Sequence, residues 1–231
     1  MKTIGIIGGM SWESSLEYYR IINELTKERL GGLHSAKSLM LSVDFAHIEE
    51  LQSAGRWEDA TAEMVTCAKQ LERGGADFLL IATNTMHLMF NDVQESVNIP
   101  CLHIADAAAG KIMEMGLNKV GLLGTQFTME MDFYKGRLKE VFGIDVVIPD
   151  RDDRAEVNRV IYEELVVGRI TPESRSTFKQ VIDNLAGKGA EGVVLGCTEI
   201  PLLVKQEDAS IPIFDTTFIH AEKAVDMALA E

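Results

Sequence analysis

The sequence predicts an α/β protein of two similar three-layer lobes, each with a mainly parallel sheet. Short apolar runs typical of buried strands alternate with helical patterns along the chain. Glycine or polar residues follow the central strands, as at Gly8-Gly9 after the first one. The same order of strand ends then occurs a second time. These three observations together predict a duplicated α/β fold.

The first half alternates strands and helices in a regular order. Strands are predicted at 3–7, 37–43, 77–82 and 97–102, and helices at 12–30, 46–53, 57–73 and 105–115. The third strand is followed by Thr83-Asn84-Thr85-Met86-His87. These polar residues are therefore placed at the carboxyl edge of the sheet, where open α/β sheets bind ligands.

The second half follows the same plan. Strands are predicted at 119–123, 145–148, 192–196 and 211–214, and helices at 128–142, 155–167, 172–188 and from 214 to the end. Residues 149–154 are interpreted as a charged loop. Thr171 is the expected cap of the helix that begins at Pro172.

Three pairs of strand ends support an internal duplication. Gly124 lies 116 positions after Gly8, Cys197 lies 114 after Thr83, and Pro212 lies 112 after Pro100. A pseudo-twofold axis between two such half-domains would bring equivalent strand ends face to face across a cleft. We therefore expect one lobe at 1–117, completed by a C-terminal helix at 214–231, and a second lobe at 118–213, with the active site between them.

Composition and charge exclude several classes of protein. The 231 residues carry a formal net charge of −14, which argues against binding to DNA, RNA or an anionic membrane. No apolar run reaches transmembrane length, and the N-terminus does not resemble a signal peptide. Three cysteines without ligand-like spacing predict neither a disulfide framework nor a metal site. A cytoplasmic enzyme is expected.

Cys197 is the candidate chemical centre, because it follows the buried run Gly192–Gly196 and precedes two polar residues. The alternative is that it only fills a small apolar hole, as free cysteines often do. Cys67 and Cys101 are interpreted as packing residues. His87 is interpreted as a half-buried helix residue rather than a catalytic one.

Three motifs carry a resemblance to a known family. They are Gly8-Gly9-Met10-Ser11-Trp12, Thr83-Asn84-Thr85-Met86-His87 and Gly196-Cys197-Thr198-Glu199. In combination they resemble the aspartate/glutamate racemase family over nearly the whole chain. The resemblance implies two α/β lobes, no cofactor, and two catalytic cysteines in motifs that read CNT and GCT. This chain departs from the family at the first motif, where Thr83 replaces the cysteine.

That replacement predicts an unequal pair of catalytic residues. Backbone amides and a helix N-terminus can lower the pKa of a thiol, ordinarily about 8.5, toward neutrality. A hydroxyl stays protonated, so Thr83 is expected to donate a proton, or to act as a base only when activated. The resemblance assigns Cys197 to the L-enantiomer. L-Aspartate and L-glutamate are therefore expected to react faster than their D-forms, and the rate of α-proton exchange would measure the difference.

The remaining site residues are substrate contacts. Donors for the α-carboxylate are expected from Asn84, Thr85, Thr198 and Glu199. The family pattern adds Met10 and Gln52, with Thr125 and Thr128 as weaker candidates. Some relatives place a lysine in the segment that corresponds to 161–168, and this chain has none there.

The sequence thus predicts a cofactor-independent racemase of acidic amino acids that binds no metal. The alternatives are a one-cysteine carbanion enzyme of the same superfamily, such as a decarboxylase or isomerase of dicarboxylic acids, and a non-catalytic amino-acid-binding protein. The expected partner is a small-molecule amino-acid substrate, with neither nucleic acid nor membrane, and a homodimer is a possible assembly.

Overall fold

The computed structural model describes residues 1–230, which divide into two compact units. The first unit comprises 1–104 with 220–230, and the second comprises 105–219. The sequence placed these boundaries at 117/118 and 213/214, whereas the units change at 104/105 and 219/220. The difference arises because the helix after residue 104 groups with the second unit.

The first unit contains a parallel sheet in the order β2-β1-β3-β4. Its strands are β1 (Ile4–Gly8), β2 (Ser38–Ser42), β3 (Phe78–Ile81) and β4 (Cys101–Leu102). Its helices are α1 (Trp12–Leu30), α2 (Phe45–Ser53), α3 (Trp57–Arg73), a 3₁₀ turn at Thr85–Met89 and α4 (Phe90–Glu95). The sequence predicted that His87 lies in a helix, whereas the structure has a 3₁₀ turn there, followed by α4.

The second unit repeats this strand order as β6-β5-β7-β8, again parallel throughout. Its strands are β5 (Lys119–Gly124), β6 (Asp145–Val147), β7 (Gly192–Gly196) and β8 (Ile213–Asp215). The helices are α5 (Ile104–Glu114), α6 (Gln126–Glu130), α7 (Asp132–Phe142), α8 (Arg151–Glu163), α9 (Pro172–Gly187), α10 (Ile200–Leu203) and α11 (Thr216–Leu229), with 3₁₀ turns at Leu165–Val167 and Gln206–Asp208. Helix α11 runs from the second unit into the first.

The two four-stranded parallel sheets confirm the predicted α/β class, and their common strand order supports the duplication. Period-two alternation explains the packing of the first sheet. Phe78 and Leu80 of β3 belong to a buried cluster with residues of α1 and α11. Leu79 and Ile81 belong to a second cluster with residues of α2 and α3. Both faces are therefore covered, and β3 is buried along its whole length.

Two details of the second unit differ from the sequence prediction. The helix expected at 128–142 is divided into α6 and α7 by Met131, whose backbone is extended with ψ at 158°. The charged loop expected at 149–154 was wrong, because α8 already begins at Arg151. Asp152 and Asp153 lie in its first turn, where negative charge interacts favourably with the helix dipole.

Candidate active site

Cys197 lies in the loop that follows β7, at the carboxyl edge of the second sheet, and only 7% of its surface is exposed. Glycines at the ends of β5 and β7 let the two strands approach closely here. A Cβ on Gly196 would lie 2.9 Å from the carbonyl oxygen of Leu123, and one on Gly124 would lie 2.8 Å from the oxygen of Gly196. The strand end that carries the thiol is thus tightly packed.

A carboxylate lies directly beside the thiol. The Cys197 Sγ donates a hydrogen bond to Glu199 Oε2 at 3.0 Å, and the Thr198 hydroxyl donates to the same oxygen at 3.0 Å. The backbone amides of Glu199 and Ile200 lower the pKa of the thiol, and the Ile200 amide donates to the Cys197 carbonyl oxygen at 3.2 Å. The loop therefore supplies the thiol with one proton acceptor and two groups that stabilise a thiolate.

The balance of these effects raises the pKa of the Cys197 thiol well above its ordinary value. Burial is the largest cause, followed by the negative charge of Glu199 and its hydrogen bond, while the two amides act in the opposite direction. The sequence anticipated a pKa lowered toward neutrality by amides and a helix N-terminus. Both amides are present, but α10 is a single turn of four residues, and burial outweighs them. Cys197 is therefore a protonated thiol at neutral pH in this structure.

Thr83 holds the equivalent place in the first unit, two residues after β3. Its side chain is partly exposed, whereas Ala82, Asn84 and Thr85 on either side of it are buried. Thr83 is thus the partly exposed residue of an otherwise buried strand end.

Met10 and Gln52 also lie at this edge of the first sheet, and both are buried. Met10 belongs to the same apolar cluster as Met86, and Gln52 Nε2 donates to the Met86 sulfur at 3.1 Å. The loop before α1 is held by Ser15, whose hydroxyl accepts from the Gly9 amide at 2.7 Å and donates to the Ser11 carbonyl at 2.9 Å. Gly9 has φ at +92°, a backbone conformation that favours glycine.

The two weaker candidates, Thr125 and Thr128, lie in the loop after β5. Thr125 caps α6, because its hydroxyl accepts from the Thr128 amide at 3.3 Å, and the two hydroxyls lie 3.2 Å apart. Within the second unit the structure thus collects Thr125, Cys197 and Glu199 at one sheet edge. The expectation that Thr83 and Cys197 face one another stays a prediction.

Sequence reasoning missed two contacts. It treated Glu199 as a substrate contact and did not anticipate that its carboxylate would accept from the thiol. It also described His87 as half-buried, whereas the residue is 2% exposed and its ring is hydrogen-bonded to the Thr83 carbonyl oxygen. A carboxylate two residues after the cysteine and a histidine four residues after the threonine were the available signals.

Within residues 1–230, no cluster of three or more His, Cys, Asp and Glu side chains has the arrangement of a metal site. Over the same residues, every helix is too short or too polar to cross a membrane.

Known proteins share both the sequence pattern and the fold. The profile of the family described as Asp/Glu/Hydantoin racemase matches residues 7–224. A crystal structure from Yersinia pestis, described as a candidate Asp/Glu racemase, is 51% identical, with a TM-score of 0.94 and full coverage of both chains. An aspartate racemase homologue from Pyrococcus horikoshii is 39% identical, with a TM-score of 0.87 and full coverage of both chains.

A curated relative with a broader described activity also matches. The broad specificity amino-acid racemase RacX of Bacillus subtilis is 25% identical over 163 residues, which cover 71% of this chain and 70% of RacX.

Proposed function

This chain belongs to the Asp/Glu/hydantoin racemase family, and we propose that it is a pyridoxal-independent racemase of aspartate and glutamate, in which Cys197 and Thr83 serve opposite faces of the α-carbon. The observation that carries the proposal is the pairing of a buried thiol with a carboxylate at the carboxyl edge of β7. Such a pair can exchange a proton between sulfur and oxygen without any cofactor.

The first step is activation of the thiol. The proton moves from Cys197 Sγ to Glu199 Oε2, which leaves a thiolate beside a neutral carboxylic acid. Loss of the negative charge on Glu199 removes one cause of the raised pKa of Cys197, and the amides of Glu199 and Ile200 then stabilise the thiolate. Transfer of the proton moves the negative charge from the Glu199 carboxylate to the Cys197 sulfur. Substrate binding that displaces water favours this transfer, because the backbone amides beside the sulfur already stabilise the charge.

The thiolate then removes the α-proton of the L-amino acid. The electron pair of the C–H bond passes into the α-carboxylate, which becomes an enediolate that needs hydrogen-bond donors. Asn84, Thr85 and Thr198 are the proposed donors. The Thr83 hydroxyl delivers a proton to the opposite face, and water reprotonates Thr83, which is partly exposed. The hydroxide formed takes up the proton held on Glu199, and Cys197 keeps the former α-proton until it exchanges with solvent, so the resting protonation of all three groups is restored. The product is the D-amino acid.

The unequal pair predicts unequal proton exchange. Because enantiomers have the same free energy, kcat/KM for interconversion must be equal in the two directions. In heavy water, the thiol can exchange its proton for a deuteron and return that deuteron to the L-face of the substrate. The Thr83 hydroxyl is a poor base, so it rarely removes the α-proton of the D-enantiomer. L-Substrates should therefore exchange their α-proton faster than D-substrates.

Aspartate and glutamate are proposed as substrates because the family description names both and a relative is described as an aspartate racemase homologue. A second candidate is a decarboxylase of substituted malonates, which the protonated resting thiol favours. In that reaction Cys197 would only donate a proton to the carbanion that forms when carbon dioxide departs from the substrate.

Deuterium incorporation tests the proposal directly. L- and D-aspartate and L- and D-glutamate are incubated separately in heavy water, and loss of the α-proton signal is followed by NMR together with chiral analysis of the product. We expect faster exchange from the L-forms and D-product from each L-substrate. Equal exchange from the D-forms would refute the asymmetric mechanism, and release of carbon dioxide from a substituted malonate without amino-acid exchange would favour the decarboxylase.

A further inference from the structure

The His87 ring joins the loops that follow β3 and β4. Its Nδ1 lies 2.8 Å from the carbonyl oxygen of Thr83, and its Nε2 accepts the backbone N–H of Ile104 at 3.1 Å. Ile104 comes two residues after the end of β4. One side chain therefore ties the backbone of the proposed proton donor to the neighbouring strand end.

The 3₁₀ turn explains why the Thr83 carbonyl accepts from a side chain. In an α-helix, the amide of His87 would bond to the carbonyl four residues earlier, which is that of Thr83. Here the His87 amide donates to the carbonyl of Asn84 instead, at 3.0 Å. The Thr83 carbonyl thus lies outside the backbone ladder, and the imidazole supplies the donor.

The two partners fix the protonation of the ring. A backbone N–H can only donate and a carbonyl oxygen can only accept, so Nε2 must be unprotonated and Nδ1 must carry the proton. His220 has the opposite tautomer, because its Nε2 donates to the Leu102 carbonyl at 3.0 Å and its Nδ1 accepts from the Tyr18 hydroxyl at 2.9 Å. Both histidines are neutral in this arrangement, and both bond to the backbone at or just after a strand end.

Aromatic packing holds the His87 ring in this orientation. Phe90 stacks on it with an interplanar angle of 8° and a centroid distance of 5.7 Å. The His103 ring lies 4.6 Å away, centroid to centroid, and the His220 ring lies 5.9 Å away. A ring packed against three others cannot flip to present its other nitrogen without moving its neighbours.

We propose that His87, as the neutral Nδ1–H tautomer, is a positioning residue that sets the place of the Thr83 hydroxyl during proton delivery. The inference rests on the proposed function of Thr83. Holding the carbonyl holds the peptide unit that carries the Thr83 side chain. A displacement of about 1 Å at a reacting group can cost on the order of a hundredfold in rate. The effect should therefore fall on the Thr83 face alone.

Two variants separate the two ring nitrogens. His87→Asn keeps an N–H donor at the position of Nδ1, whereas His87→Gln places its amide near Nε2 and leaves the Thr83 carbonyl without this donor. L-Glutamate is incubated in heavy water, and the amount of D-product is divided by the amount of α-deuterated L-substrate. We expect His87→Gln to lower this ratio roughly ten- to a hundredfold while L-exchange continues, and His87→Asn to stay within about threefold of the parent.

Thr83→Ala provides the matched control. It removes the hydroxyl itself, so D-product should be lost, and adding His87→Gln should leave L-exchange at the rate of Thr83→Ala alone. Because a merely structural role would reduce exchange and racemisation together, a proportional loss of both in His87→Gln would overturn the proposal. Equal losses in folded His87→Asn and His87→Gln would overturn it as well.

The tautomer is tested without turnover. In ¹⁵N-histidine-labelled protein, long-range ring correlations should show the proton on Nδ1 of His87 and on Nε2 of His220. His87 signals are assigned by their loss in His87→Asn. A protonated Nε2 on His87 would refute the arrangement. A parent protein that exchanges no acidic amino acid would instead refute the proposed function, and with it the catalytic part of this inference, whatever the tautomer.

Discussion

The carboxyl ends of β3 and β7 occupy the same position in two sheets of the same strand order, but they present different chemistry. The β3 end offers a partly exposed threonine, Thr83, whose backbone carbonyl is bonded to a neutral imidazole. The β7 end offers a buried thiol hydrogen-bonded to a carboxylate. The repeated topology determines where a reactive side chain is placed, whereas residues within a few positions of it determine what that side chain can do.

The surroundings differ as much as the reactive groups. All five histidines of the chain lie in the first unit and none in the second. In the first unit, neutral imidazoles with both nitrogens bonded hold the backbone without adding charge. In the second, a negative charge 3.0 Å from the thiol raises its pKa and also provides a place for its proton. Proton transfer at the β3 end is therefore expected to depend on the position of the Thr83 hydroxyl, and proton transfer at the β7 end on the pKa of the Cys197 thiol.

The largest effect is expected from removing the thiol. Cys197→Ser replaces it with a hydroxyl that Glu199 cannot deprotonate appreciably, so both ends would then be hydroxyls. We expect α-deuteration of L-aspartate and L-glutamate to fall by about a thousandfold. NMR in heavy water measures the rate.

Cys101→Ser is the control, because Cys101 lies in β4 and is outside the proposed machinery. It should retain most of the parent rate. Exchange that survives unchanged in Cys197→Ser would remove Cys197 from the reaction.

Glu199→Gln should separate the two consequences of the neighbouring carboxylate. It removes the negative charge, so the pKa of Cys197 should fall relative to the parent, although burial still raises it. It also removes the proton acceptor, so L-exchange should fall by roughly a hundredfold. The pH dependence of alkylation by iodoacetamide reports the pKa, and deuteration reports the exchange.

A lower alkylation midpoint together with slower exchange is the expected pair of results. If exchange stayed at the parent rate, Glu199 would act only on the pKa and another group would receive the thiol proton.

The positions of Thr83 and Cys197 could be predicted from sequence because they depend on features that sequence records well. Buried strands show as short apolar runs, and parallel strands bring their carboxyl ends to one edge. The repeat then linked the two positions. For the same reason, the order of strands and most helices along the chain could be predicted, although α8 was expected to begin four residues too late.

The contacts that tune the site could not be predicted, because they depend on side-chain direction and local backbone geometry. The Glu199 carboxylate contacts the thiol only because the loop after β7 turns it back, and a single-turn α10 follows instead of a longer helix. His87 reaches the Thr83 carbonyl only because residues 85–89 form a 3₁₀ turn. An α-helix over the same residues would have used that carbonyl itself.

Thr83→Cys makes the two ends chemically alike. A thiol at the β3 end can become a base toward the D-enantiomer, so α-deuteration of D-aspartate and D-glutamate should rise by about tenfold or more, and L-exchange should change less. Thr83→Ser keeps a hydroxyl and should leave D-exchange close to that of the parent. Should Thr83→Cys gain no D-side exchange, the asymmetry would have to arise elsewhere in the site.

The smallest effect concerns the histidines that hold the first end. Burial lowers the pKa of His220 from 6.5 to about 4. Because the unfolded chain binds this proton more readily than the folded one, His220 supports stability fully above pH 6.5, and that support is lost as the pH falls toward 4. Between pH 7 and 5.5 the free energy of unfolding should fall by about 1 kcal/mol from this cause, measured by urea unfolding.

His220→Gln should reduce this pH dependence of stability. Backbone hydrogen exchange in acid should increase first in α1 and the 3₁₀ turn, not around Cys197. Hydrogen exchange that increases first at β7 would contradict this prediction, because it would place the acid-sensitive region in the unit that has no histidine.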